Sequence, residues 1–347
     1  TTTSKAISNQ ILIAVDYTKP INIVDVNNTA VKYANMLKGL NMMAVAEVLA
    51  NCQPIFGVKD SIKLGKVEHG SISKKYDGTF TGDASVGTIV PRTLTVYPVV
   101  AELADEPERY RRSFIAEVAG NMWAQKHPFE LWIIQHGINL ASEELFYALF
   151  NAKYDSSALK KALTDSFDSW NAVIDADIVA GLISAAEKNL YVGDAAISRS
   201  NAGEYLLDMY RSRHAALRNR DLNMWISLDV ADMYDNWYRD EHDAPPFVDA
   251  SGLMKLEGAN GRVNLIRSAA MPTGSQRVIL TTRENMVYGT DNIADLRSMK
   301  AFESGNPYLF TMTMKYVWGC QFVSVHEREF TVNDLAAYGS DSGSASS

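Results

Sequence analysis

The sequence YLFTMTMKYVWGCQF, residues 308–322, alternates large apolar side chains with smaller or polar ones along its whole length. A period of two predicts a β-strand, and this one exceeds the usual length of about five or six residues. Met, Trp, Cys and Phe share one side, which predicts a face buried in a sheet rather than a platform for stacking nucleic-acid bases. Gly319 predicts a bulge or bend near the end of the strand.

Apolar residues at helical spacing predict several helices in the first half of the chain. One runs from near Val31 to about Asn51, a second from Leu131 to Leu149, and a third carries Phe167 to Ile178. A further helix is predicted after Asp105, which can cap it, with Pro107 in the first turn.

Shorter helices and strands alternate in the second half. Asn201 with Glu204 forms a capping pattern, and Asp229 is predicted to cap a helix that ends near Arg239. Three strands are predicted, at residues 223–228, 262–267 and 277–282. Together with the long strand, this mixture predicts an α+β fold.

Residues 56–100 are broken into short pieces by glycine. Val67 to Ile72 and Thr88 to Val100 have the composition of strands, the second being rich in β-branched residues. Few core residues are available to them. We therefore interpret the segment as a projecting β-hairpin that needs another surface for stability.

Composition narrows the classes of protein. The chain has 347 residues and a formal net charge of −8, so roughly two domains are expected, and a dedicated nucleic-acid binder is disfavoured. No apolar run is long enough to span a membrane and the N-terminus lacks a signal peptide, so we expect a cytoplasmic protein. Cys52 and Cys320 lie far apart, which predicts reduced, packed thiols and no disulfide framework.

Reactive residues form no recognisable catalytic motif. The densest cluster is Asp240, Glu241 and His242, which a hydrolase could use, but a charged helix end entering Pro245-Pro246 explains it more simply. No histidine pair has the spacing of a zinc site, and no phosphate-binding glycine motif is present. We therefore predict that the protein is not an enzyme and has no catalytic, cofactor-binding or metal-binding residues.

Several stretches carry a resemblance to a known family. They are TVYPVVAE (95–102), DEPERYR (105–111), FDSW (167–170), GLISAA (181–186) and TTRENMVYGTD (281–291). With the order of the elements, they resemble major capsid proteins of tailed phages with the Hong Kong 97-type fold, in particular those of phages of Bacteroidetes. The resemblance covers most of residues 50–335.

The resemblance implies a domain layout. Residues 1–53 would be the N-terminal arm and 54–103 the extended hairpin, called the E-loop. The peripheral domain, with a long spine helix, would comprise residues 104–190 and 306–335. Residues 191–305 would form the axial domain, and 336–347 a disordered tail.

The resemblance also implies a function and partners. The chain would assemble with itself into hexamers and pentamers of an icosahedral shell, in the host bacterial cytoplasm, and remain in the virion. The shell would enclose double-stranded DNA without sequence-specific contacts. Portal, scaffold or decoration proteins would be further partners. Two alternatives stay open: an encapsulin-like cellular nanocompartment, and the soluble hydrolase using Asp240, Glu241 and His242.

In some members of this family, subunits are cross-linked by an isopeptide bond between a hairpin lysine and an asparagine of a neighbouring subunit, assisted by a buried glutamate. Lysines 63, 66, 74 and 75 lie in the corresponding segment of this chain. No asparagine or glutamate matches by motif, so this activity is not expected here.

Overall fold

The computed structural model describes residues 43–68, 75, 88–106, 129–157, 162–250, 252–292, 300–303 and 310–338. The helices in these ranges are α1 (Met43–Leu49), α2 (Phe129–Asn151), α3 (Trp170–Val179), α4 (Ala202–Arg211), α5 (Ala215–Arg218) and α6 (Leu228–His242). The strands are β1 (Gln53–Phe56), β2 (Ser61–Glu68), β3 (Thr88–Thr95), β4 (Tyr97–Asp105), β5 (Leu190–Tyr191), β6 (Leu222–Ser227), β7 (Met254–Lys255), β8 (Val263–Ser268), β9 (Ile279–Thr281), β10 (Met286–Thr290), β11 (Lys300–Glu303), β12 (Phe310–Phe322) and β13 (Phe330–Asn333).

The long strand β12 organises a five-stranded sheet. It pairs antiparallel with β4 from Phe310↔Asp105 to Trp318↔Tyr97, and also with β10 and β11, while β1 lies parallel to β10. The predicted buried face is confirmed by Met312, Met314, Tyr316, Trp318, Cys320 and Phe322, which are all buried. The ring of Trp318 stacks on Tyr288 with 5.1 Å between centroids.

Gly319 lies where β12 changes its pairing partner. The register with β4 ends at Trp318↔Tyr97, and the register with β10 begins at Gly319↔Gly289. A Cβ on Gly319 would lie 2.1 Å from the carbonyl oxygen of Thr95. Glycine is therefore required because the backbone at the end of β3 approaches β12 closely.

Helices α1, α2 and α3 build one core against this sheet. The apolar periodicity of α2 buries Ile134, Ile138 and Leu145, as the sequence predicted for this helix. Ser169 caps α3 by accepting a hydrogen bond from the Ala172 backbone N–H at 3.3 Å. This core also receives the side chain of Trp170.

A second core lies on a six-stranded sheet ordered β5-β13-β9-β6-β8-β7. Its helices are α4 and α6, whose buried residues include Leu206, Met209 and Tyr234. The two sheets do not follow the predicted domain ranges at every point. Strand β13, inside 306–335, pairs with β9, and β10, inside 191–305, pairs with β12.

Strand β4 extends to Asp105, further than the predicted Val100, because β12 offers it a long pairing partner. The predicted cap of α4 is wrong. Asn201 does precede α4, but its side chain makes no capping bond. The Asn201 Oδ1 atom instead accepts from the Ser198 backbone N–H at 2.7 Å, within the preceding turn.

The cap of α6 is also displaced from its predicted residue. Ser227, not Asp229, accepts from the Val230 backbone N–H at 3.3 Å. The Asp229 carboxylate instead accepts from the Gly274 N–H at 2.5 Å, because the loop before β9 approaches it. The helix continues past the predicted end near Arg239 to His242.

Several predictions fall outside the described residues. They are the start of the helix near Val31, the helix after Asp105, the strand residues up to Ile72, and the tail beyond 338. In the part of the chain that the structure describes, no helix has the length and apolarity needed to cross a membrane.

Candidate functional site

The predicted hairpin is present. Strands β2 and β3 pair antiparallel from Ser61↔Thr95 to Glu68↔Thr88, so the first strand begins earlier than the predicted Val67. Most of its described side chains are exposed, including Ile62 and Val90. Among these described side chains, only Leu94 and, just after β3, Val96 are buried, at the hairpin root beside Gly289. The hairpin therefore depends on its root for attachment to the subunit.

An arginine on β3 fixes one side of the root. Arg92 donates to both carboxylate oxygens of Asp177 on α3, at 2.6 and 3.3 Å. It also donates to the Gln321 side chain at 2.8 Å and to the Phe322 carbonyl at 3.0 Å. The Arg92 and Asp177 side chains are only 10% and 11% exposed. Such a buried, bidentate, charge-assisted pair has a fixed geometry.

A lysine on β2 fixes the other side. Lys66 Nζ lies 2.5 Å from Glu329 Oε2, and Arg220 donates to Glu329 Oε1 at 2.8 Å. Glu329 directly precedes β13 and is only 12% exposed at its side chain. One strand of the hairpin is thus tied to α3 and the other to the six-stranded sheet. We call these two sets of contacts the hairpin clamp.

A cleft of ≈ 470 Å³ lies beside the hairpin clamp. Its walls are the hairpin strand at Val90, the loop after α3 and the loop after β12. Leu182 in this cleft is about half exposed, and the nearby Val179 is almost fully exposed. The cleft is lined by both lysines and glutamates, so it has no uniform charge.

A second groove, of ≈ 610 Å³, runs between β4 and α2. Val100, Leu140 and Tyr147 leave almost half of their surface exposed there. Glu102 and Glu144 are the carboxylates that line it.

The Asp240, Glu241 and His242 cluster lies at the exposed end of α6. Asp240 accepts two hydrogen bonds from Arg199, at 2.7 and 2.8 Å, and these lower the pKa of its carboxyl. A general acid would need a raised pKa in an apolar setting. The hydrolase alternative therefore gains no support from this geometry. Among the described residues, no group of three His, Cys, Asp or Glu side chains is arranged to hold a metal ion.

The two cysteines are free and buried, as predicted. Burial raises the pKa of Cys52 and that of Cys320 well above the ordinary thiol value. Neither therefore supplies a thiolate for nucleophilic or metal chemistry at neutral pH.

The hairpin clamp was not predicted from the sequence. One signal was available. Asp177 follows the buried Ile174 by three residues in α3, so its side chain lies on the buried face. A carboxylate in that position requires a cationic partner. Nothing local identified Arg92 or Glu329 as members of the same site.

No protein-family model and no curated protein matches the sequence. Solved structures do match. A chain of the satellite phage P4 procapsid, in a structure including the size determination (Sid) protein, aligns with a TM-score of 0.51 and 11% identity over 88% of this chain and 99% of that chain. The cyanophage A-1(L) capsid aligns with a TM-score of 0.51 and 12% identity, covering 84% of this chain and 92% of that one.

These two alignments cover most of this chain and nearly the whole of each phage chain. The narrower resemblance to phages of Bacteroidetes stays a prediction. The chain has the α+β fold of phage capsid subunits, the Hong Kong 97-type fold.

Proposed function

We propose that the protein is the major capsid protein of a tailed phage. It assembles into hexamers and pentamers that form the closed icosahedral head around double-stranded DNA, and its role is structural rather than catalytic. The observation that carries this proposal is the extent of the likeness to the P4 procapsid chain, 99% of which is covered. The likeness to that chain therefore extends over the subunit and is not confined to one motif.

The surfaces of the subunit support this role. The hairpin clamp holds the root on its own chain, while Ile62 and Val90 on the hairpin strands are 40% and 45% exposed. The groove between β4 and α2 is likewise open and partly apolar. Apolar surface of this kind is covered when subunits associate.

In this proposal, α2 and the five-stranded sheet belong to the peripheral domain, and most of the six-stranded sheet to the axial domain. The net charge of −8 suits a wall that confines DNA without binding it tightly. Portal, scaffold and decoration proteins are the partners expected of such a shell.

Electron microscopy and light scattering of the purified full chain test the proposal. Closed particles are expected, and a chain that remains a small soluble oligomer under all assembly conditions overturns it. A matched variant replaces residues 69–87 by a short Gly-Ser turn and so keeps Lys66 and Arg92. It should fold with an unchanged unfolding transition but form no shells. Normal shells from this variant would refute the role given to the hairpin.

A further inference from the structure

An arginine-rich surface lies at the end of α4. Residues 211–220, RSRHAALRNR, contain four arginines and no acidic residue, and Asp208 and Asp221 on either side leave a positive excess. Arg262 joins them because it donates to the Asn219 carbonyl at 2.8 Å. We define the arginine surface as Arg211, Arg213, Arg218, Arg220 and Arg262. All but Arg213, which is partly buried, are exposed.

The guanidinium groups of this surface are oriented mainly by neutral partners. Arg218 donates to the Arg211 carbonyl at 3.2 Å and lies over the Tyr210 ring, and Arg213 donates to the Lys188 carbonyl at 2.9 Å. Within the ranges described above, only Arg220 of the five pairs with a carboxylate, that of Glu329. The guanidinium groups are therefore held in place, but most of them have no carboxylate partner among the described residues. Such a surface can bind carboxylates of another molecule.

Helix α6 carries the opposite charge. Residues 228–243, LDVADMYDNWYRDEHD, contain six acidic residues and one arginine. Asp235 pairs with Arg239, and Asp240 pairs with Arg199. Three further carboxylates on this helix and at its end are exposed and form no ion pair with a described residue: Asp232, Glu241 and Asp243.

We propose that the arginine surface of one copy binds helix α6 of the next copy. The inference rests on the proposed function and names the surfaces that join neighbouring subunits. Within one chain the two surfaces do not neutralise each other, since the α6 carboxylates that pair do so with Arg199 and Arg239. The match within a single sequence, together with the net charge of −8, favours a second copy over DNA as the occupant.

A contact between two different surfaces has a geometric consequence. However many copies are added, an open row of subunits has an unpaired arginine surface at one end and an unpaired α6 at the other. They are satisfied only when the arrangement closes into a ring. Exposed ion pairs are individually weak, so their effect depends on how many of them form and on how they orient two approaching subunits. The effect decreases as the salt concentration rises.

Charge reversal on the full chain tests the pairing. One variant carries Arg211→Glu and Arg218→Glu, and a second carries Asp232→Lys and Glu241→Lys. Each should lower the yield of assembled shells at least tenfold, whereas the variant with all four changes should recover most of it. Lys153→Glu with Arg328→Glu is the control, because it changes the net charge as much as the arginine variant at two other exposed positions.

The outcomes separate this inference from the proposed function. If the unmodified protein forms no shells, the function itself is wrong. If the unmodified protein forms shells and both reversal variants assemble as well as it does, only the proposed pairing is wrong. The pairing is also wrong if the variant with all four changes does not recover assembly. If the arginine variant instead assembles normally but loses the binding of a short DNA duplex, measured by fluorescence anisotropy, that result identifies a nucleic-acid surface and overturns the proposal. Should a double variant fail to fold, single Arg218→Glu and Glu241→Lys carry the same test.

Discussion

Removing the charge of Asp177 should measure how much the hairpin clamp contributes to the stability of the subunit. Asp177→Asn keeps the shape of the side chain but leaves the Arg92 guanidinium without a counter-charge in a site where both side chains are about one-tenth exposed. Removing one partner of a buried pair typically costs about 3–5 kcal/mol. We expect the free energy of unfolding to fall by about 3 kcal/mol. This is the lower end of that range, because the Gln321 side chain and the Phe322 carbonyl still accept hydrogen bonds from Arg92.

Denaturant titration of the unassembled subunit measures this loss. Asp240→Asn is the matched control, since it removes the same kind of bidentate aspartate–arginine pair at an exposed site and should leave the unfolding midpoint unchanged. Arg92→Met with Asp177→Leu removes both charges and should recover most of the stability. If Asp177→Asn proves as harmless as Asp240→Asn, the clamp does not hold the hairpin and the reasoning fails.

Three other outcomes are expected. Trp318→Ala should cost about 3–5 kcal/mol in the same titration, because the side chain is fully buried; a loss below about 1 kcal/mol would contradict its placement. Cys52 and Cys320 should react with a thiol reagent only after unfolding, because burial raises both thiol pKa values, and rapid labelling of the native subunit would show otherwise. Mature particles boiled in detergent should give one band at the monomer mass, because Lys66 is tied to Glu329 of its own chain and Lys63 is exposed to water, whereas a lysine nucleophile needs a desolvated pocket; a ladder of multiples would reveal cross-linking.

Local patterns in the sequence predicted the elements that repeat over many residues. The alternation through β12 and the helical spacing through α2 each require one strongly apolar face, so the positions of both are read directly from the chain. The hairpin was predicted for a similar reason, since glycines and β-branched residues mark its strands. These features, with the recognised stretches, were sufficient for the fold class.

Contacts between distant residues were not predictable in the same way. Lys66 and Glu329 are 263 positions apart, and Arg92 and Asp177 are 85 apart, so no periodicity links them. The helix caps show the same limit on a smaller scale. Ser227 and Asp229 are both good capping residues, and the choice between them depends on Gly274, which only the folded chain brings close.

The two sets of charges in this subunit differ in burial, and that difference suits the assembly of a closed shell. The Arg92–Asp177 pair is buried, so the direction of the hairpin is set before subunits meet and association need not order its root. The arginine surface and α6 are exposed, so each contact that they form is weak, sensitive to salt and easily reversed. A wrongly placed subunit can therefore dissociate, whereas a ring that closes holds every copy by two contacts at once. Strong contacts within the subunit and weak contacts between subunits together favour closed shells over irregular aggregates.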